Sequence, residues 1–203
     1  MSVVVVDYGA GNLRSVAKAL QAAGAAAVEV TALPDVVARA ERIVLPGVGA
    51  FGACMRALRA VAGLEEALCD AVRGRGVPFL GICVGMQILA EEGQEFGVHG
   101  GLGWIPGTVE PLAPRDPGLP VPQMGWNEVR SDDPARVPPG WAYFVHGFAL
   151  APRVAQDAVA FTDYGGPVVA AVARDNLLGV QFHPEKSQAY GLELLSRFLT
   201  WRP

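Results

Sequence analysis

The chain has 203 residues, of which 51% are hydrophobic, and its formal net charge at pH 7 is −4. This length fits a single α/β domain with a sizeable core. The small charge, without any cluster of Lys and Arg, excludes a nucleic-acid backbone as the expected partner. The first residues lack the basic start and long apolar stretch of a signal peptide, and no window approaches a membrane span, so we expect a cytoplasmic protein without membrane contact.

The cysteines of the chain are Cys54, Cys69 and Cys83. Their odd number and the absence of a C-x-x-C pair argue against a disulfide framework and against a zinc site. We therefore expect neither a metal ion nor a cofactor. Each cysteine is then either a buried apolar residue or a reactive thiol.

In the first half of the chain, apolar runs of strand length alternate with helical segments. The predicted strands cover residues 3–6, 27–31, 42–45 and 78–82, and the predicted helices cover residues 12–23, 34–40, 53–73 and a segment that begins near Val84. This alternation is typical of a parallel sheet that is covered by helices on both faces.

After about residue 100, strand-like segments follow one another with few helix signals between them. They cover residues 123–129, 141–146, 168–173 and 177–182, and a proline-rich stretch at 111–122 is predicted to be a surface loop. The pattern indicates that the second half of the chain is rich in strands.

An amphipathic helix is predicted near the end of the chain, at residues 189–201. Its predicted apolar face consists of Leu192, Leu195, Phe198 and Leu199. Because we find neither an internal repeat nor a linker, residues 1–203 are predicted to form one α/β domain. Its central, mostly parallel sheet is flanked by helices, and the C-terminal half adds further strands.

Cys83 lies in the sequence GICVGMQ, where a predicted strand turns into a predicted helix. This is the layout of a nucleophile elbow with cysteine in place of serine. The flanking Gly81 and Gly85 allow a tight turn and a close approach of neighbouring elements. Free N–H groups at the start of a helix favour a thiolate. Cys83 is therefore the candidate nucleophile, whereas Cys54 and Cys69, in predicted helices without such a turn, are interpreted as packing residues.

A histidine and a glutamate follow the last predicted strand, in the sequence VQFHPE. In an extended backbone, residues two apart share a face, so Glu185 can lie beside His183. A carboxylate there can hold one ring nitrogen and stabilise the imidazolium, which leaves the other nitrogen for Cys83. His146 is a rival base without an acidic neighbour in the sequence. His99, in a glycine-rich segment, is interpreted as a surface residue.

The segments GICVGMQ and GVQFHPEKS resemble those of class I glutamine amidotransferases. The motifs DYGAGNLRSV, PGVG, MGWN and YFVH, in this order along the chain, are similar to the glutaminase subunits of imidazole glycerol phosphate synthases, which act in histidine biosynthesis. The resemblance covers essentially the whole chain. It implies hydrolysis of L-glutamine to glutamate and ammonia, with Cys83 as the nucleophile, His183 as the acid and base, and Glu185 as the residue that orients it.

The resemblance also implies the residues that bind the substrate and the oxyanion. The backbone around Val48 and Gly49 and the N–H of Val84 would donate hydrogen bonds to the tetrahedral oxyanion, and losing one such donor costs about 3 kcal/mol of barrier. Gly49 and Gln87, the latter one helical turn beyond the nucleophile, would contact the substrate. Glu95 matches an acidic residue of the family that contacts the substrate's ammonium group.

Three positions depart from the family pattern. Gln123 stands where the family often has histidine, and Gly147 stands where a hydroxyl residue usually follows His146. Gly93 replaces a usual serine two positions before Glu95. None of the three is a residue of the proposed triad.

Ammonia that escapes into water near neutral pH becomes mostly ammonium, which is not nucleophilic. A direct transfer therefore needs a partner placed over the mouth of the active site. The resemblance implies that this partner is a (β/α)₈-barrel cyclase subunit, in a heterodimer. We expect the contact surface at the carboxyl ends of the strands, where open α/β sheets bind their ligands. Tyr8, Asn12, Trp126 and Lys186 are the predicted contact residues.

Other interpretations of the chain make different predictions. A stand-alone cysteine hydrolase or peptidase would use the same triad and would act on peptides or esters. A nucleotide-binding module is suggested by Gly9-Ala10-Gly11 after a strand and by Glu29 about twenty residues on, but Arg14 occupies the place of the third glycine. Such a module would bind a nicotinamide nucleotide and quench tryptophan fluorescence. A non-enzymatic scaffold would require the triad residues to be coincidental.

Overall fold

The first half of the chain builds a parallel sheet with helices on its faces. The computed structural model describes residues 2–203. The elements of this half are β1 (Ser2–Val6), α1 (Leu13–Ala22), β2 (Ala27–Thr31), α2 (Pro34–Ala38), β3 (Ile43–Gly47), α3 (Phe51–Ala60), α4 (Leu64–Cys69), β4 (Phe79–Cys83) and α5 (Val84–Gln87). Every residue of β3 and β4 is buried, as expected for parallel strands with helices on both sides.

The second half adds antiparallel strands and a final helix. Its elements are β5 (Glu92–Gly93), β6 (His99–Gly100), β7 (Gly107–Pro111), β8 (Gln123–Ser131), β9 (Gly140–His146), β10 (Phe148–Pro152), β11 (Ala158–Asp163), β12 (Pro167–Arg174), β13 (Leu177–Val180) and α6 (Gln188–Thr200). Short 3₁₀ turns at Ala155–Asp157 and Pro184–Lys186 connect some of them.

Across residues 2–203, the larger sheet contains nine strands in the order β2-β1-β3-β4-β13-β12-β11-β8-β9. The strands from β2 to β13 in this order run parallel to their neighbours, and the strands beyond β13 pair in antiparallel fashion. A smaller sheet has the order β10-β7-β5-β6. The fold is thus the predicted single α/β domain, with a mixed sheet in which β13 returns from the end of the chain to lie beside β4.

The single helix predicted at residues 53–73 is wrong. The structure has two helices, α3 and α4, and a π-helical turn at Asp70–Gly74. The break occurs before Gly63, whose φ of 77° lies in the left-handed region that glycine adopts without a steric cost. Apolar periodicity continues across this break, which is why the sequence pattern alone concealed it.

The apolar face predicted for α6 is partly wrong. Leu192 is exposed, whereas Leu194 is buried together with Leu195, Phe198 and Leu199. Gly191 fixes the orientation of the helix, because a Cβ atom there would lie 1.8 Å from the carbonyl oxygen of Pro184.

Among the described residues, none of the helices has the length and apolar character that a membrane span requires.

Candidate active site

Three parallel strands end side by side at one edge of the larger sheet. Cys83, the last residue of β4, pairs with Gly47 at the end of β3. On its other side, Ile82 of β4 pairs with Val180, the last residue of β13. The chain therefore leaves β3 toward Val48 and leaves β13 toward His183, so both segments flank the thiol.

The backbone of Cys83 has the geometry of a strained turn. Its φ of 55° and ψ of −114° lie in a region that L-residues rarely adopt, which costs about 1–3 kcal/mol. Two glycines allow the turn to pack closely. A Cβ atom on Gly85 would lie 1.8 Å from the carbonyl oxygen of Leu45, and one on Gly81 would lie 2.4 Å from that of Gly85. The structure thus has the strand–turn–helix arrangement that the glycine pattern predicts.

The helix after the turn is too short to have a large macrodipole. α5 is a single turn that ends at Gln87. It stops because the carbonyls of Ile88 and Leu89 accept hydrogen bonds from the N–H groups of Leu102 and Trp104, in a loop that folds back onto it. A helix this short has a small macrodipole, so other groups must provide most of the stabilisation of a thiolate at Cys83.

His183 lies beside Cys83 and is oriented by Glu185. The His183 Nδ1 atom lies 2.9 Å from Oε1 of Glu185, and the two side chains are 5% and 1% exposed. The sequence pattern predicts Glu185 on the face of an extended strand. In the structure, β13 has already ended, and Glu185 comes alongside the ring because residues 184–186 form a 3₁₀ turn. The pairing is as predicted, but its geometric reason was wrong.

The backbone of His183 is fixed by Ser187, a residue for which the sequence pattern predicts no role. The N–H of His183 donates to the carbonyl of Tyr143 at 2.9 Å, and the hydroxyl of Ser187 donates to the carbonyl of His183 at 2.7 Å. The same Ser187 oxygen accepts the N–H of Tyr143 at 3.0 Å. These three bonds anchor the histidine to β9, so its ring position depends on the register of that strand.

The pKa of His183 reflects two opposing effects. Burial alone lowers it, but hydrogen bonds to Cys83 and Glu185, with the negative charges of these groups, raise it to about 9. The imidazolium form is therefore favoured near neutral pH. A protonated His183 between a thiol and a carboxylate is the arrangement required for a thiolate–imidazolium pair.

His146 has the opposite electrostatic character. It is buried, and desolvation lowers its pKa to about 4, with a smaller opposing effect from its hydrogen bond to Phe148. Its Nδ1 lies 2.9 Å from the Phe148 carbonyl, and its Nε2 lies 3.0 Å from the side-chain Oε1 of Gln123. A neutral ring carries a single proton, so it donates to only one of these two oxygens at a time. His146 is thus a neutral residue that links two segments.

Apart from Glu185, the predicted catalytic, oxyanion and substrate residues line one pocket, whose volume is about 430 Å³. The pocket is lined by Val48, Gly49, Cys83, Val84, Gln87, Glu95, His183 and Lys186, among others. This volume lies in the range of small-molecule sites. Glu185 contributes from behind His183, since its carboxylate is buried.

Gln87 and Glu95 are both already engaged within the protein. Gln87 Nε2 donates to the Phe148 carbonyl and to Gln181 Oε1, each at 3.0 Å, which uses both of its hydrogens. Only its Oε1 can therefore meet a ligand, as an acceptor. Glu95 Oε2 accepts the N–H of Phe51 at 2.7 Å, at the start of α3, while the residue also lines the pocket.

The predicted contact residues for a partner differ in their exposure. Trp126 and Lys186 are exposed, and Asn12 is half-buried. The prediction that Tyr8 lies on the surface is wrong, because the residue is only 3% exposed. The chain turns at Gly9, three residues beyond the end of β1, and the Tyr8 ring points inward, with its hydroxyl in the space beside Gly47.

The structure explains the glycine at position 93, shows space for a side chain at Gly147 and corrects the interpretation of His99. A Cβ atom on Gly93 would lie 2.6 Å from the ring of Phe51, so this ring occupies the place of a side chain. Around Gly147 there is room for one, because the nearest atoms, on Val121 and Pro122, lie at 3.7 and 3.8 Å. His99 is not a plain surface residue, since it is half-buried with its ring against Gly52.

The fold and the pocket define a class of protein that comparison identifies. The family model described as "Glutamine amidotransferase class-I" matches residues 4–200. The chain therefore belongs to the class I glutamine amidotransferase family and is a glutamine-hydrolysing enzyme.

In the part of the chain that the structure describes, no group of three or more His, Cys, Asp or Glu side chains could hold a metal ion.

Curated proteins that are similar to this chain include subunits of a synthase. The chain is 57% identical over 206 residues to "Imidazole glycerol phosphate synthase subunit HisH" of Zymomonas mobilis subsp. mobilis, a match that covers 100% of this chain and 97% of that protein. The protein of the same name from Caulobacter vibrioides is 54% identical over 212 residues, with 100% and 99% covered.

Solved structures show the same fold at lower identity. "Crystal structure of glutamine amidotransferase" superposes with a TM-score of 0.75 at 18% identity, covering 97% of this chain and 99% of the other. "Structure of PurLQS from Thermotoga maritima" gives 0.71 at 20% identity, covering 98% and 95%. At these identities the likeness concerns the fold alone.

Proposed function

We propose that this chain, as one domain over residues 1–203, is the glutaminase subunit of an imidazole glycerol phosphate synthase and acts in cytoplasmic histidine biosynthesis. The observation that carries the proposal is the position of Cys83 at a strained turn next to the buried His183–Glu185 pair, in a pocket of small-molecule size. The names of the relatives, which match over 97–99% of their length, support the assignment to this synthase. The triad is then Cys83, His183 and Glu185.

In the first half of the reaction, the Cys83 thiolate attacks the side-chain amide carbon of L-glutamine. A C–S bond forms, and the electron pair of the carbonyl moves to its oxygen. When this tetrahedral species collapses, the C–N bond breaks and the His183 imidazolium gives its proton to the nitrogen, which leaves as ammonia. Glu185 stabilises the imidazolium throughout.

In the second half, neutral His183 takes a proton from a water molecule whose oxygen attacks the thioester carbon. The C–S bond breaks, glutamate leaves after its carboxyl group releases a proton to solvent, and the thiolate–imidazolium pair is restored. The oxyanion of both tetrahedral species would be bound by backbone N–H groups around Val48 and Gly49 and by that of Val84, which line the pocket beside the thiol.

The α-ammonium group of the substrate would be bound by two acceptors. The free Oε1 of Gln87 and the Glu95 carboxylate both belong to the pocket lining. Glu95 suits a cation because it is anionic and is fixed at the start of α3 by its bond to Phe51. Room beside Gly147 leaves that side of the pocket wider than a hydroxyl residue would.

The partner would be a (β/α)₈-barrel cyclase subunit that uses the ammonia, bound as a heterodimer over the mouth of the pocket. An exposed apolar surface next to the pocket supports this position. Met124 and Trp126 on β8 are 65% and 44% exposed, and their antiparallel partners on β9 are Val145 and Tyr143. Lys186 lies over the Tyr143 ring and lines the pocket, so it adds a positive charge to this surface.

The decisive experiment measures product formation by the reconstituted complex from either nitrogen source. Cys83→Ala should abolish synthesis from glutamine and leave synthesis from added ammonium salts intact. The reason is that the cyclase needs only ammonia from the glutaminase subunit. The matched control is Cys69→Ala, an exposed thiol far from this turn in sequence, which should retain both activities. Equal loss of both nitrogen sources in an assembled Cys83→Ala complex would contradict the ammonia-donor role. Hydrolysis of peptides or esters in place of glutamine would instead favour a stand-alone hydrolase.

A further inference from the structure

Behind the nucleophile lies a buried amide that the mechanism above does not use. Gln181 is 0% exposed, and its side-chain Nε2 lies 3.7 Å from Sγ of Cys83. The residue directly follows β13, whose last residue, Val180, pairs with Ile82. Continuing this parallel register by one residue puts Gln181 beside Cys83, so the sheet itself places the amide next to the sulfur.

The orientation of the Gln181 amide is determined by its neighbours. The carbonyl of Phe148 can only accept, so the Gln87 atom 3.0 Å from it must be the nitrogen. The same nitrogen lies 3.0 Å from Gln181, which must therefore present its oxygen there. The remaining Gln181 nitrogen, with its hydrogens, faces Cys83. A backbone carbonyl thus fixes the order of donors and acceptors along the whole chain of groups.

The neighbours of the sulfur distinguish the thiolate from the thiol. The Val145 carbonyl, 3.9 Å from Sγ, can accept from a thiol but cannot donate to a thiolate. The Gln181 N–H can donate to a thiolate. Hydrogen bonds to an ionised group in a dry interior are stronger than those between neutral groups.

We propose that Gln181, oriented through Gln87 by the Phe148 carbonyl, is a hydrogen-bond donor to the Cys83 thiolate that stabilises and positions the nucleophile before glutamine binds. The inference rests on the proposed function for its catalytic meaning. A neutral donor suits this task, because it stabilises the anion without taking its proton, whereas His183 must exchange protons during the reaction. Gln181 is not part of the pocket lining, so it acts on the sulfur and not on the substrate.

The test is alkylation of Cys83 by iodoacetamide as a function of pH, in the full chain carrying Cys69→Ala to remove the exposed thiol. The modified residue is mapped by mass spectrometry. Gln181→Met keeps the approximate shape without the donor, and Gln181→Glu places a negative charge at the same position. The control is Thr162→Val, a buried polar residue on β11 that does not line the pocket.

With Gln181→Met, alkylation of Cys83 at pH 7 should be slower by about tenfold, since a hydrogen bond to an ionised group is lost. The pH of half-maximal rate should rise with Gln181→Met and rise further with Gln181→Glu. Thr162→Val should leave the profile unchanged. If Gln181 had a purely structural role, both substitutions would lower the stability of the fold. The pH of half-maximal alkylation would then not depend on the charge of the new side chain. Identical profiles for the parent and a folded Gln181→Met chain would overturn the proposal.

A second measurement needs no substitution at this position and decides the matter if the variants do not fold. In the ¹⁵N-labelled chain, the Gln181 side-chain amide signal should titrate with the same midpoint as the alkylation rate, and a signal that does not respond would overturn the proposal. In the complex, kcat for glutamine should fall in Gln181→Met while KM stays within about twofold. If Cys83→Ala retained glutaminase activity, the proposed function would fail, whereas the alkylation profile would still report on Gln181.

Discussion

The imidazole ring of His183 and the carboxylate of Glu185 are joined by a hydrogen bond of 2.9 Å in an almost fully buried site. A buried carboxylate is costly unless it is paired, and a buried imidazole alone would be neutral. Together with the Cys83 thiol, Glu185 reverses the effect of burial, and the pKa of His183 rises to about 9. The charge state of the base therefore depends on a residue that does not reach the pocket.

Glu185→Gln should move the alkaline limb of the pH–rate profile to lower pH. The amide keeps a hydrogen-bonding group but removes the negative charge, so the pKa of His183 falls and the imidazolium is lost at a lower pH. Near neutral pH, kcat should fall by about 100-fold. The measurement is kcat/KM for glutamine against pH in the complex.

The control for this substitution is Glu193→Gln. Glu193 forms an exposed ion pair with Arg197 on α6 and has no contact with the triad. Its replacement should leave both the rate and the profile unchanged. An unaltered alkaline limb in Glu185→Gln would mean that the carboxylate does not set the charge of His183.

The two buried histidines should differ in their importance for chemistry. His183→Ala should remove glutamine hydrolysis almost as completely as Cys83→Ala, because residues that act as a unit are not additive. His146→Gln should keep activity within about tenfold, since His146 is neutral and already bonded to Phe148 and Gln123. Steady-state glutaminase assays of the two variants make the comparison. The reverse ranking would identify His146 as the base.

His146 should instead govern stability in acid. Its pKa is about 4 in the folded chain and 6.5 without burial. As the pH falls below 6.5, the unfolded chain binds a proton at this residue and the folded chain does not, so folding loses up to about 3 kcal/mol by the time the pH reaches 4. Denaturant unfolding at several pH values should show a shallower loss for His146→Gln than for the parent chain. Equal slopes would contradict the neutral, buried state of the ring.

Because the turn at Cys83 is strained, we expect the folded protein to be more stable with glycine than with alanine at this position. Cys83→Gly should be more stable than Cys83→Ala by about 1 kcal/mol, because relief of the strain at φ 55° outweighs the greater entropy of glycine in the unfolded chain. Urea unfolding of the two inactive variants measures the difference. In α3, Cys54→Gly should be less stable than Cys54→Ala, as usual for a helix. The same order at both positions would contradict a strained turn.

The residues that carry chemistry were largely predictable from local sequence. Cys83 was recognisable because tight turns need glycines at fixed spacing, and a Cβ atom added at either Gly81 or Gly85 would indeed clash with backbone atoms. The strands that flank it could be predicted because buried parallel strands are continuous apolar runs. Such features depend on a few consecutive residues, so the sequence displays them directly.

Features that depend on partners distant in the chain were not predictable. The role of Ser187 requires β9 to lie beside the turn at residues 184–186, and the position of Gln181 requires β13 to pair with β4. The burial of Tyr8 depends on the space that Gly47 leaves beside it. Nothing within a few residues of these side chains encodes such contacts, because they arise only when the strand order of the sheet is formed.

Lys186 offers a test of the proposed partner surface that leaves the triad intact. The chain has two lysines, Lys18 and Lys186. Lys186 is exposed, lines the pocket and lies over the Tyr143 ring, which in turn contacts Trp126 edge-to-face. Lys18 is exposed on α1 and does not line the pocket. The two residues therefore form a matched pair for charge reversal.

In a complex with the barrel subunit, Lys186→Glu should weaken association by about tenfold or more, because reversing a charge within an interface creates like-charge repulsion or an unpaired buried group. Lys18→Glu should change the affinity little. Titration calorimetry with the barrel subunit measures the dissociation constants, and iodoacetamide labelling of Cys83 in the isolated chain checks that the turn and the triad are undisturbed. If Lys186→Glu bound as tightly as the parent chain and still passed ammonia from glutamine to product with full coupling, the surface around Lys186, Tyr143 and Trp126 could not be the contact. The partner would then have to contact other exposed residues at the pocket, such as Phe96, which lines it and is 89% exposed.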